Sequence, residues 1–341
     1  MELPDIRFYL FGMGGRRKLL YKGGVLKDAL SGEVVSEWDV AEERIIPEEY
    51  TIEITGRGGE KASIVEDEQG VFVVEGGERK LITEAPVNLP RFENSRHAKQ
   101  LRILHQELLV NVLDGKPVPN FFVYKKPWYR DAAMTALCFQ LTGNIHVISD
   151  WILSIDEPYD RNNAGVSEPD NLGQVLYLCS LVGNTTHPVV DKVLDAVKKC
   201  REGKHIIGET DFGLHPVYQT KWLKLGVRSI GLPDHYEIPK AKDSYSALFW
   251  MDYKNQHVEM EPFSKEAGEK YPYLVWAEAH FHGWPPDKLP LGKTYPLTWE
   301  AYSSEAVYAN MAVIDPVYVG MKLSPPHTWH AAEAFLYYLG L

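Results

Sequence analysis

Two patterns of apolar residues divide the chain near residue 90. Before it, short runs rich in β-branched and aromatic residues alternate with polar ones at 6–11, 18–22, 33–38, 50–54, 62–65 and 71–74. Glycine pairs separate them: Gly14-Gly15, Gly23-Gly24, Gly58-Gly59 and Gly76-Gly77. A period of two with glycine punctuation predicts a small antiparallel β region. Beyond residue 90 apolar positions recur at helical spacing. This predicts helices over 97–113, 131–141, 145–155, 171–181, 189–201, 215–227, 244–252, 265–282, 300–313 and 330–339. Asp131 and Asp170 stand where N-caps belong, and Gly143 and Gly183 follow helix ends. Short connections at 142–144 and 183–188 alternate with long polar loops, as in an array of helical hairpins. The expected organisation is a β-rich region over 1–90 and a helical unit over 91–341. No repeat is visible, which argues against a regular solenoid.

Composition narrows the partners. Of 341 residues, 45% are hydrophobic and 24% charged, enough apolar material for a sizeable core. The net charge of −11 and the lack of a Lys/Arg cluster argue against nucleic acid. Gly12-Met13-Gly14-Gly15 is no phosphate loop, because neither a Lys-Ser/Thr ending nor a helix follows. Cys138, Cys179 and Cys200 are odd in number and widely spaced, so reduced thiols are expected. The start Met-Glu-Leu-Pro-Asp lacks the basic and apolar stretches of a signal peptide. No apolar run reaches the roughly 18 residues of a membrane span. A cytoplasmic protein with no membrane partner is expected, and the exposed edges of the β region suit a homodimer.

Candidate chemistry gathers first at Lys126-Pro127-Trp128-Tyr129-Arg130-Asp131, where a loop runs into a helix. An indole offers an apolar face to a sugar ring, while guanidinium and carboxylate fix its hydroxyls. Asp131 serves equally as a simple helix cap, a role worth about 1 kcal/mol. Many of the nine Trp and nineteen Tyr flank loops, as a sugar cleft needs, although aromatics also fill large cores. Trp128-Tyr129-Arg130-Asp131 resembles the Trp-x-Arg-Asp run of the six-hairpin glycosidases, which include glucoamylase-like, trehalase-like and processing-glucosidase-like enzymes. Ser167-Glu168-Pro169-Asp170-Asn171 is similar to a second substrate loop of those enzymes. The stretch from His327 through Trp329 and His330 to Glu333 resembles the start of their last barrel helix. The resemblance covers roughly residues 93–341. It implies a mainly α fold, an (α/α)6-type toroid preceded by a small antiparallel β region, with a carbohydrate substrate and no cofactor.

That resemblance also implies an inverting glycoside hydrolase. Two carboxyl groups would stand roughly 6.5–9.5 Å apart, one protonating the glycosidic oxygen and one activating water. In Gly208-Glu209-Thr210-Asp211-Phe212-Gly213, Asp211 is the first candidate for the acid and Glu209 the second. Glu333 and Glu300 are candidates for the base, with Asp315 behind them. Trp128, Arg130, Asp131, Glu168, Asp170, Asn171, His215, Tyr218, His282, Trp299, Trp329 and His330 are expected to bind substrate. His280 and His282 at i, i+2 fall on different helix faces, and with His327 and His330 they make a poor metal set, so no metal is expected. Two alternatives remain. One is an isomerase similar to N-acylglucosamine 2-epimerase toroids, moving protons with His280, His282, His327 and His330. The other is a glycan-binding protein without turnover.

Overall fold

The computed structural model describes residues 7–161, 164–211, 213–240, 295–299, 309–325 and 327–340. The chain opens with two antiparallel sheets. The first has the order β1-β2-β3-β4, from Tyr9–Phe11, Leu19–Lys22, Val25–Asp28 and Val34–Glu37. The second is a five-stranded meander of β5 (Val40–Ile46), β6 (Thr51–Gly56), β7 (Lys61–Glu66), β8 (Gly70–Glu75) and β9 (Glu78–Glu84). Alternation sets its faces: Ile52 and Ile54 on β6 are buried and lie opposite Ile64 and Ala62 on β7. A slip of one residue would turn these apolar side chains to solvent.

Helix α1 (Ala98–Val110) is the keel on which the sheets rest. Gln106 donates to the Leu10 carbonyl at 2.6 Å, the Gly14 amide donates to the Leu109 carbonyl at 2.9 Å, and the Tyr50 hydroxyl reaches the Arg102 carbonyl at 3.2 Å. The described helices that follow are α2 (Tyr129–Thr142), α3 (Ser149–Leu153), α4 (Asp170–Leu181), α5 (Val189–Cys200), α6 (Pro216–Ser229), α7 (Pro316–Met321) and α8 (Thr328–Leu339). Two-residue hairpins stand between them: β10–β11 (Val112–Leu113, Lys116–Pro117), β12–β13 (Arg201–Glu202, His205–Ile206) and β14–β15 (Glu209–Thr210, Gly213–Leu214). The buried apolar residues of sheets and helices form one continuous core.

Helices α2, α4, α6 and α8 start at the same end of the molecule. Arg130 at the start of α2 meets Asp170 at the start of α4, Gln174 of α4 meets Tyr218 near the start of α6, and Asp131 of α2 meets His327 just before α8. Parallel α4 and α6 approach closely because glycine lines the crossing. A Cβ on Gly173 would lie 2.1 Å from the Trp222 carbonyl carbon, and one on Gly226 would lie 2.5 Å from the Gly173 oxygen. α2 is buried almost all round, as a central helix must be. α5 by contrast buries one stripe of Val189, Val190, Val193, Ala196 and Val197.

The architecture corrects the expected fold. Eight α-helices and five antiparallel sheets are formed among the described residues, a mixed α/β arrangement and not an (α/α)6 toroid of the six-hairpin glycosidase kind. The β part is a two-sheet layer packed on α1, with Glu66 and Gln106 buried between them, so it is no small appendage. The run at 145–155 splits into a 3-10 turn, Ile145–Val147, and the five-residue α3. The stretch around 309–313 is a 3-10 turn, followed by the unexpected short α7. The expected helices over 244–252 and 265–282 lie outside the described residues. No helix among the described residues is long and apolar enough to cross a membrane.

Candidate functional site at the helix pole

Trp128 is the N-cap of α2, and Asp131 lies inside its first turn, so Asp131 is not the cap that its position suggested. Asp170 likewise sits inside α4, behind Pro169 as N-cap. Neither carboxylate is tied to its own helix end by a side-chain cap. Both turn instead toward neighbouring helices at the common pole, where helix dipoles favour negative charge.

Arg130 is the hub. Its guanidinium reaches Glu168 at 3.4 Å and Asp170 at 3.3 Å, and its Cζ lies 5.9 Å from the Trp329 ring centre. Asp170 also accepts from Gln174 at 2.9 Å and Thr210 at 3.1 Å, which fixes it fully. Glu168 holds Arg130 with one oxygen and accepts the Asp211 amide at 2.8 Å with the other. The β14–β15 hairpin is thereby pinned to the pole, with help from Gln219, which donates to the Gly208 carbonyl and to Thr210, each at 2.7 Å. Asn171 binds Gln174 at 3.1 Å and accepts the Asp160 amide at 3.2 Å. Asp160 accepts the Tyr129 amide, and burial pushes its carboxyl up to about 7. Tyr218 is buried and accepts from Gln174 at 3.4 Å. Burial first, then the charge of Asp170 and more weakly that of Glu333, holds its hydroxyl well above its ordinary range.

Asp131 differs from all of these. It is 1% exposed, yet neither carboxylate oxygen has a well-formed hydrogen bond among the described residues; the Trp329 amide and its own are the donors that approach it. Its closest ion-pair partner is His327, with Nδ1 at 4.0 Å from Oδ1. Burial raises the Asp131 pKa, against the smaller opposing pull of His327 and Arg130. Two more half-buried rings meet His327. Tyr124 and Trp128 are 4.7 Å apart, and His327 meets them at 5.1 and 5.2 Å. His330 lies 4.9 Å from Trp329; burial, with the charge of His327 behind it, keeps its pKa far below the usual imidazole range.

Trp128, Arg130, Asp131, Glu168, Asp170, Asn171, Tyr218, Trp329, His330 and Glu333 thus gather at one pole, with His215 as N-cap of α6 beside them. Asp211 joins through its backbone, but its side chain is exposed at the hairpin tip, with φ 47°. The water-excluding surroundings expected of a general acid are absent there. Trp299 is elsewhere: it stacks on Tyr318 at 5.2 Å and meets Phe8 at 6.5 Å, at the junction of α7 with the β layer. Asp315 also lies there, as N-cap of α7 paired with Lys22. Glu300, His280 and His282 lie outside the described residues. Tyr124, Asp160, Gln174 and Thr210 were missed as site residues. Gln174 stands one helical turn after Asp170, the spacing that signals it; Tyr124 lies in a loop, where no such spacing applies. Among the described residues, no group of three or more His, Cys, Asp or Glu side chains is set to hold a metal ion.

No family model, curated protein or solved structure matches this chain.

Proposed function

We propose that the helix pole binds a carbohydrate and hydrolyses its glycosidic bond with inversion. The observation that carries this reading is the buried carboxylate of Asp131, without a well-formed hydrogen bond among the described residues and 4.0 Å from His327 of the Tyr124–Trp128–His327 ring cluster, beside the bonded Arg130–Glu168–Asp170 network. A rigid polar network next to aromatic faces is what orients a sugar, whose hydroxyls need fixed donors and acceptors and whose ring carbons need an apolar platform.

The bonding pattern sorts the carboxyl groups by role. Glu168 and Asp170 are saturated by the groups that bind them and serve as scaffold. Glu333, buried on α8, is the candidate to deliver the proton, because a desolvated carboxyl favours its neutral form. Asp211, exposed at the hairpin tip, is the candidate to activate water. These assignments reverse the order expected from sequence, since burial suits the acid and solvent access suits the base.

The test is hydrolysis of a panel of aryl glycosides and oligosaccharides. The expected result is turnover by the wild type, lowered at least about a hundredfold in Glu333→Gln and in Asp211→Asn, the usual size of a general acid–base contribution. Turnover unchanged in both variants would sink the assignment. A second reading, glycan binding without hydrolysis, is favoured by the exposure of Asp211. Saturable binding with no turnover on any member of the panel would establish it.

A further inference from the structure

We infer that the sugar held at this pole carries a protonated amine, which seats against Asp131 and the Trp128 ring. The inference rests on the carbohydrate reading and narrows its substrate class. A buried carboxylate with no well-formed hydrogen bond on either oxygen is costly to keep, at about 1–3 kcal/mol or more, unless something completes it. Hydroxyls would complete it with neutral hydrogen bonds. An ammonium completes it with charge and three donors, and it is also drawn to the π faces above.

The surroundings favour a cation over an anion. Arg130, the nearest guanidinium, is engaged by Glu168 and Asp170. Its charge is therefore balanced twice over before Asp131 is counted. His327, at 4.0 Å, opposes a bound cation only when protonated. The Tyr124, Trp128 and His327 rings touch one another at 4.7–5.2 Å and are each half-buried, with His327 edge-on to the other two, so part of each ring stays open at the rim. A uronic acid would place its carboxylate against this acidic wall and be repelled.

Calorimetric titration of the full chain near pH 6 tests this with a glucosamine tetramer, its fully N-acetylated counterpart and a galacturonate tetramer. The expected order is glucosamine about tenfold tighter than the N-acetylated form, with no detectable binding of the uronate. Asp131→Asn should bring the first two affinities together. Should that variant not fold, the wild type still decides. Binding of the glucosamine tetramer should weaken as ionic strength rises, and binding of the N-acetylated form should not change. Equal or tighter binding of the N-acetylated tetramer, or a margin that survives Asp131→Asn, overturns the inference while leaving the carbohydrate reading standing. Binding of methylammonium with no binding of any sugar overturns the carbohydrate reading and leaves an amine site. Silence from every probe overturns both.

Discussion

Glu66 in the β layer and Asp131 at the helix pole are almost equally buried, at 2% and 1% exposure, and are treated in opposite ways by the fold. Glu66 accepts the amides of Gly12 and Met13, at 3.1 and 2.7 Å, and the Arg16 guanidinium at 2.9 Å. The loop it holds is closed again by Lys18, whose ammonium donates to the Gly12 and Gly14 carbonyls and whose pKa burial lowers to about 7. Both Glu66 oxygens and the Lys18 ammonium are spent on folding the chain, although one Arg16 nitrogen stays unbonded among the described residues. Asp131 has only His327 at 4.0 Å and no well-formed hydrogen bond among the described residues. Buried polar groups are nearly always bonded, so an exception inside an aromatic-rimmed pole points to a ligand more strongly than any amount of burial does.

The largest effects should come from removing the cations. Arg16→Met leaves Glu66 buried and short of its one cationic hydrogen-bond partner among the described residues, and should destabilise the protein by about 3–5 kcal/mol in chemical denaturation. Arg130→Met should destabilise it less, because Asp170 keeps Gln174 and Thr210 and Glu168 keeps the Asp211 amide. If the second loss equalled the first, the pole would be as structural as the β layer and the contrast would break.

A smaller effect concerns Glu107, at the junction of the two regions. It accepts from the Leu297 amide and the Thr298 hydroxyl with no cation beside it, and burial pushes its carboxyl up to about 7. A folded-state pKa above the unfolded value of about 4.3 means that the folded state holds the extra proton. The stabilisation is complete below about pH 4 and is lost as pH rises through about 7. Glu107→Gln should therefore flatten the fall in stability between about pH 5 and 8. An unchanged slope would show that another group carries it, and Asp160, also near 7, would be next to test.

The smallest effect sharpens the border of the site. Trp299→Phe removes a stacking partner of Tyr318 and should lower stability by about 1 kcal/mol without changing sugar affinity. A loss of affinity would place Trp299 back in the site.

What could be read from the sequence follows the same division. β1, β2, β4, β6, β7 and β8 were legible because their apolar residues alternate or cluster. β5 and β9 were not, because Glu42, Glu43 and Arg44 on one and Glu78, Arg79 and Lys80 on the other break the pattern. Both are edges of the five-stranded sheet, where charge guards unpaired backbone. Helices α1, α2, α4, α5, α6 and α8 fell within a few residues of their periodic runs, whereas α3 and α7 are too short to show a period. The pole itself was legible in Trp128, Arg130, Asp131, Glu168 and Asp170. Their division into bonded scaffold and unbonded Asp131 was not, since it depends on Thr210, Gln174 and Asp211 arriving from other elements. The toroid failed for a related reason: short helical motifs specify a pole of helix starts, and carry no information on how many helices surround it.

The comparison of Asp131→Asn with wild type, measured for stability and for glucosamine-tetramer affinity in the same preparation, tests the account most directly. A carboxylate kept for a ligand should be replaceable by an amide with equal or higher melting temperature, and with affinity lowered about tenfold. A variant that loses several kcal/mol of stability while binding the tetramer as tightly as wild type would show that Asp131 belongs to the fold after all, and would contradict the account.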